Sequence, residues 1–230
     1  HTPSPIKNHR HCDMLSFELS LFGEDVIVDP GVYEYTSSLN ERNLYRAPEM
    51  HNITMVKGIN PCSWNKNKFF SALHYSSVSN PKISKVGNVI SVSVASRLAS
   101  FLTLCRIWSF DTVEGVLTIS DKLIDRKNCP RERIYTFLHL GPMLKVDSIR
   151  YANWNNLQRA MVKIFGSRKR HYLLHIESPH CSKLEVNTSH YWYSPFYGEK
   201  TRAYKITISW ISNSNFIRLR IIPSIQGQVT

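Results

Sequence analysis

The sequence predicts an all-β fold, a sandwich or a barrel of short strands, on three observations. Apolar and polar residues alternate with a period of two along much of the chain. Turn residues break that alternation every eight to fifteen positions. No internal repeat, low-complexity tract or Gly/Ser-rich linker appears, so residues 1–230 read as one domain.

Taken in order, "MLSFELSLFG" (14–23) alternates and stops at Gly23. "DVIVDPG" (25–31) is a short strand ended by Pro30-Gly31. "NVISVSVASRL" (88–98) alternates cleanly, and "GVLTISDKLI" (115–124) and "YTFLHLG" (135–141) behave alike. "NLQRAMVKIF" (156–165) has strand-like flanks and reads as a strand, although a helical turn would also suit it. "HYLLHIES" (171–178) and "AYKITISWIS" (203–212) complete the set.

Composition sets the outer bounds. Twenty-nine Lys and Arg against seventeen Asp and Glu give a net charge of +12, which suits a polyanionic partner without choosing one. The densest basic cluster, "SRKRH" (167–171), reads as a solvated loop between strands. The chain shows neither the aromatic motif of an RNA-binding sheet nor zinc-finger spacing, so no nucleic-acid partner is expected. No run of eighteen apolar residues exists, so no membrane span is expected. The five cysteines (12, 62, 105, 129 and 181) are odd in number and include no CxxC pair, which predicts mostly free thiols.

One stretch carries chemistry. In "NHRHCDMLSF" (8–17), His9, His11 and Asp13 stand at every second position. If extended, they share a face with Leu15 and Phe17, and Cys12 takes the opposite face. An imidazole at such a rim can bind a metal, bind an anion or move a proton. Asp13 can hold a histidine tautomer. Asp29 closes a second strand, and "RNLYRAPEMHN" (42–52) adds Arg42, Tyr45, Arg46, His51 and Asn52. Two histidines and one carboxylate form a common zinc set with a water in fourth place. With ten histidines in the chain, any single one is more often an ordinary surface or core residue.

These residues resemble the start of the β-domain in the heparinase II/III-like family of polysaccharide lyases. The family's H-x-H-x-D segment reads His9-Arg10-His11-Cys12-Asp13, and its L-S-F reads Leu15-Ser16-Phe17. Its D-P-G-x-Y-x-Y element reads Asp29 to Tyr35, followed by Arg42, Arg46 and His51-Asn52-Ile53-Thr54. Later, "LTISDKLI", "YTFLHLGP" and "YSPFYGEK" are similar to further family strands, so the likeness covers nearly the whole chain. One local departure is "APEM" after the second arginine, where the family usually has a small residue or threonine.

The resemblance implies a large antiparallel β-sandwich that follows an α/α toroid, the toroid lying outside this chain. It implies cleavage of uronic-acid polysaccharides (heparin, heparan sulfate, alginate) by β-elimination to 4,5-unsaturated products. It implies a zinc ion, mainly structural, held by His11, Asp29 and His51, with Asp13 and Asn52 supporting those ligands. His9 would face the substrate and Tyr45 would carry a proton. Arg42 and Arg46 would grip a carboxylate or sulfate; a structural role under the loop is the other reading for both. Without the toroid the chain is expected to be inactive, and periplasmic or secreted residence follows from a large extracellular substrate. The competing expectation is a non-catalytic module that binds acidic polysaccharide.

Overall fold

The computed structural model describes residues 10–71, 73–125, 133–167, 170–212 and 214–225. Chain order begins with β1 (Leu19–Leu21), β2 (Glu24–Ile27), helix α1 (Leu39–Tyr45), a 3-10 turn (Pro48–Met50), β3 (Thr54–Val56) and β4 (Cys62–Ser63). It continues with β5 (His74–Tyr75), β6 (Ser77–Val78), β7 (Lys82–Val86), β8 (Val89–Arg97), β9 (Leu102–Asp111) and β10 (Val116–Asp125). Then come β11 (Ile134–His139), β12 (Lys145–Trp154), β13 (Leu157–Phe165), β14 (Arg170–Pro179), β15 (Cys181–Phe196), β16 (Glu199–Ser212) and β17 (Phe216–Ile225).

Two antiparallel sheets form a sandwich. The larger runs β12-β13-β14-β17-β10-β9-β8-β6, with β7 also on β8; the smaller runs β15-β16-β11-β3. Alternation builds the core directly. Along β13, Ala160, Val162 and Ile164 are buried; along β14, Tyr172, Leu174 and Ile176. Ile206, Ile208 and Trp210 of β16 close over them from the other sheet. Each buried Val, Leu or Ile among them contributes about 1.5–3 kcal/mol. The segment at 156–165 is a strand, as its flanks suggest. Asn155 and Asn156, with φ of 40° and 62°, make the two-residue turn that returns it against β12. No helix among the described residues is long and apolar enough to cross a membrane.

Two expectations need correction. Residues 10–18 are not a strand. A turn at Met14–Leu15, with Leu15 at φ 63° and Ser16 N donating to Asp13 O, breaks the extension. His11 and Asp13 therefore do not share a strand face. The expectation of mostly free thiols, which leaves one or two bridges open, is amended at Cys12 and Cys62, which form a disulfide. Cys105 and Cys181 are free, and Cys129 lies outside the described residues. Both corrections have one cause: long-range contacts capture the segment, which local patterning does not report. Of the basic cluster 167–171, residues 168 and 169 lie outside the described residues; Arg170 donates to Phe22 O and lies over its ring.

A buried polar bridge joins the sheets. Arg106 of β9 and Asp121 of β10 each fall in apolar phase and point inward, both about 1% exposed. Arg106 Nε and NH2 donate to the two Asp121 oxygens, each at 2.7 Å. NH1 donates to Leu15 O and Asn52 O at 2.8 Å, and NH2 also to Thr54 Oγ1. Thr54 in turn donates to Asp121 and bonds Thr136. All five guanidinium hydrogens are used, which is what a buried arginine requires.

Candidate functional site

The candidate residues gather on the outer face of the small sheet, where β2, α1 and the 3-10 turn fold over the ends of β11, β15 and β16. Val28 N donates to His139 O, so the end of β2 docks on β11 and delivers Asp29 beyond it. Pro30-Gly31 then turns the chain, and Gly31 N donates to Asp29 Oδ1 at 3.0 Å. Gly31 has φ 80°, and a Cβ there would meet Ser194 O at 2.1 Å. Only glycine fits both conditions. Ser194 N donates to Pro30 O, and Gly198 N donates to Tyr33 O. The D-P-G-x-Y and Y-S-x-x-Y-G elements are thus laced together, far apart though they are in sequence.

Helix α1 is set by Ser38, whose hydroxyl accepts from Glu41 N. The S-x-x-E pattern is a legible start signal that the strand-based reading passed over. Arg42 and Tyr45 form the buried face of the helix. Arg42 is fully buried; its NH1 donates to His11 Nε2 at 3.0 Å, and its guanidinium lies 4.9 Å from the Tyr35 ring. Arginine has only donors, so His11 accepts at Nε2 and carries its proton on Nδ1. Burial, then the neighbouring His51 and Arg42 charges, push the His11 pKa down to about 3. His11 is therefore a neutral imidazole at any ordinary pH.

His51 follows the 3-10 turn and is fully buried. Its Nδ1 lies 2.7 Å from Asp29 Oδ2. Burial works to raise the Asp29 pKa, but the hydrogen bond and charge of His51 outweigh it and hold the carboxyl below its usual range. An ionised Asp29 accepts from Nδ1–H, which leaves Nε2 on the other side of the ring. That Nε2 is buried and has no hydrogen-bond partner among the described residues. The two imidazole rings stand 5.3 Å apart, tilted by 47°.

Asn52 forms the floor. Its Nδ2 donates to Phe17 O and Val28 O, each at 2.9 Å, and its Oδ1 accepts from His139 N at 2.7 Å. His139 Nδ1 lies 3.2 Å from the same oxygen, and burial keeps that imidazole neutral. Below it, Asn52 O accepts from Arg106. A single amide thus connects the entering segment, the end of β2, β11 and the buried ion pair.

The remaining candidates are distributed differently. Arg46 is buried under Trp64 and donates to Asn43 Oδ1 and to the carbonyls of Asn65, Lys68 and Phe69. Its fork holds a loop, and none of these bonds reaches His11 or His51. Tyr45 packs with Val28, Met50 and Tyr191 and stacks on Tyr33. Burial raises its pKa, the wrong direction for a proton carrier at neutral pH. Asp13 is exposed, and among the described residues it makes no hydrogen bond to either imidazole. His9 lies outside the described residues. From sequence, His139 reads as a core-edge or surface residue and Tyr191 as part of an aromatic group (190–198) that packs in the core or stacks on sugar; in the fold Tyr191 donates to Leu140 O and meets the His139 ring edge-on. Their signal was weak: each sits in an ordinary strand alternation.

Among the described residues no group of three His, Cys, Asp or Glu side chains stands ready to hold a metal ion. The chemistry of the donor set still fits zinc: two imidazole Nε2 lone pairs, one of them buried and unpartnered, beside an ionised carboxylate. Two hydrogen bonds compete with such a metal, Arg42 to His11 and His51 to Asp29.

A family profile described as "Heparinase II/III-like, C-terminal" matches residues 1–216. The fold is shared with a heparan sulfate lyase, HepC, from Pedobacter heparinus, at a TM-score of 0.71 and 13% identity over 95% of this chain. It is also shared with a structure titled Heparinase III, at a TM-score of 0.67 and 16% identity over 95% of this chain. This chain spans 31% of the former and 30% of the latter, about a third of each. No curated protein sequence matches it.

Proposed function

The chain belongs to the heparinase II/III-like C-terminal family, and on that premise we propose that it is the β-domain of a polysaccharide lyase acting on uronic-acid polymers. The observation that carries the reading is the convergence of His11, Arg42, Asp29 and His51, from four separate segments, at one place on the sandwich. The reaction removes the C5 proton of a uronate, breaks the C4–O bond of the chain and leaves a C4=C5 double bond; the departing oxygen takes a proton. Positive charge and hydrogen-bond donors on the carboxylate make the C5 proton removable. Positioned acids and bases contribute on the order of 10²–10⁴-fold each.

Arg42 supplies the donor for that carboxylate. Its NH1 is on His11 and its guanidinium lies against the Tyr35 ring, which stands between it and solvent. Tyr45 is buried and His11 is neutral with its lone pair engaged, so neither moves the protons as placed. The proton carriers therefore come from His9 and from an upstream α/α toroid. Zinc on His11, Asp29 and His51 would tie three segments together and add positive charge beside the sugar. Asn52 holds His139 beside it in a fixed tautomer. A periplasmic or secreted setting is supported by the Cys12–Cys62 disulfide, which an oxidising compartment favours.

The test follows absorbance of the unsaturated product with heparan sulfate, heparin and alginate. The expected result is no product from this chain and steady product from a longer protein that includes the toroid, with loss of product in its Arg42→Ala variant. No product from the longer protein on any uronate would overturn the reading. A separate prediction concerns the metal. Zinc at a hundredfold over its Kd should add about 2.7 kcal/mol of stability, read as a rise in Tm. His11→Ala and Asp29→Ala should lose both the bound zinc and that rise; zinc content unchanged in both variants would rule out the assignment.

A further inference from the structure

The hairpin tip between β15 and β16 presents an aromatic and cationic surface that none of the chemistry above uses. Strand alternation buries Tyr191, but Trp192 is 39% exposed, and the turn lifts Phe196 and Tyr197 into solvent at 69% and 60%. Tyr197 lies parallel to Tyr35, with centroids 6.2 Å apart and an 11° interplanar angle. Tyr35 in turn covers Arg42, so the rings run without a break to the His11 cluster. Cations lie over Trp192 and the neighbouring Tyr33. Lys200 Nζ lies 4.2 Å from the Tyr33 ring centroid and 5.3 Å from that of Trp192, and the Arg202 guanidinium lies 5.6 Å from the latter.

We propose that Tyr197, Tyr35 and Trp192, with Lys200 and Arg202, form a subsite that binds an acidic sugar one or more residues away from the reacting unit. The inference rests on the lyase-domain reading for its polymer. Contiguous exposed aromatic rings mark a binding surface. A pyranose offers them a flat C–H face, and its carboxylate or sulfate meets the adjacent cations. Lys200 already pairs with Glu41 at 3.1 Å, so the acidic group falls mainly to Arg202; a neutral glycan would give that exposed cation no anion, and a purely apolar partner would desolvate both at a cost. The tip is held rigidly for this task by the Ser194–Pro30 and Gly198–Tyr33 hydrogen bonds, so little order has to be gained on binding.

The experiment is calorimetric titration of the 230-residue chain with defined oligouronates, a neutral cello-oligosaccharide and a single-stranded oligonucleotide. Expected is binding of the oligouronate over both comparators. Tyr197→Ala should weaken it by about tenfold, the scale of one lost ring stack. Tyr197→Phe should retain it, and Arg202→Glu should remove the preference for acidic over neutral sugar. The Tm of each variant should stay at the wild-type value, because these side chains are exposed. The proposal is overturned if no oligouronate binds, if the oligonucleotide or neutral sugar binds as well, or if Tyr197→Ala binds like wild type. It is also overturned if Tyr197→Ala turns a self-associating chain into a monomer, which would make the patch a contact between copies. Lyase product from the longer protein is scored separately, so either idea can fail while the other stands.

Discussion

Arg106→Met is expected to destabilise the protein by about 3–5 kcal/mol, the cost of leaving one half of a buried ion pair behind. Urea unfolding followed by tryptophan fluorescence measures it. The size follows from what remains: an Asp121 carboxylate about 1% exposed that keeps only the Thr54 hydroxyl as a donor, and the carbonyls of Leu15 and Asn52 without the guanidinium. The double variant Arg106→Met, Asp121→Leu removes the stranded charge and should recover part of the loss. It should not recover all of it, since the two carbonyls still lack a partner. A single variant as stable as wild type would show that water reaches Asp121 and that the bridge is not sealed.

Cleaving the Cys12–Cys62 disulfide is the second large effect. The bond closes a loop with a sequence separation of 50. A chain-entropy account assigns such a loop about 4 kcal/mol of stability through the unfolded state. The Cys12→Ser, Cys62→Ser variant should show that loss in denaturant. If the proposed zinc binds, its affinity should fall too, because Cys12 adjoins His11 and its N–H donates to Arg46 O. Equal stability and equal zinc content would mean that these hydrogen bonds alone hold the segment.

Much of the sandwich was legible because strand alternation is a local property. The alternation at 88–98 appears as Val89–Arg97, and that at 115–124 as Val116–Asp125. Turn chemistry at Asn155-Asn156 settled a strand against a helix. The site was legible as a set of residues and illegible as an arrangement. His11, Asp29, Arg42 and His51 do meet, but the assumed straight segment through Asp13 is bent at Leu15. That bend depends on Arg106, some ninety residues away, donating to the Leu15 carbonyl. Burial of Tyr45 and Arg46 likewise depends on β15 and on the loop at 64–69. Arg106 and Asp121 were the missed clue: opposite charges, each in phase with apolar neighbours, announce a partner inside.

The Asn52 amide has a consequence for motion. Its bonds reach both the entering segment and β11, and its carbonyl reaches the ion pair between the sheets. The base beneath the histidines cannot breathe locally, because releasing it opens the whole sandwich. Amide protons of His139 and Asn52 should therefore exchange with solvent only as slowly as the chain unfolds, while the aromatic hairpin tip exchanges on its own faster clock. Local motion is left to the rim.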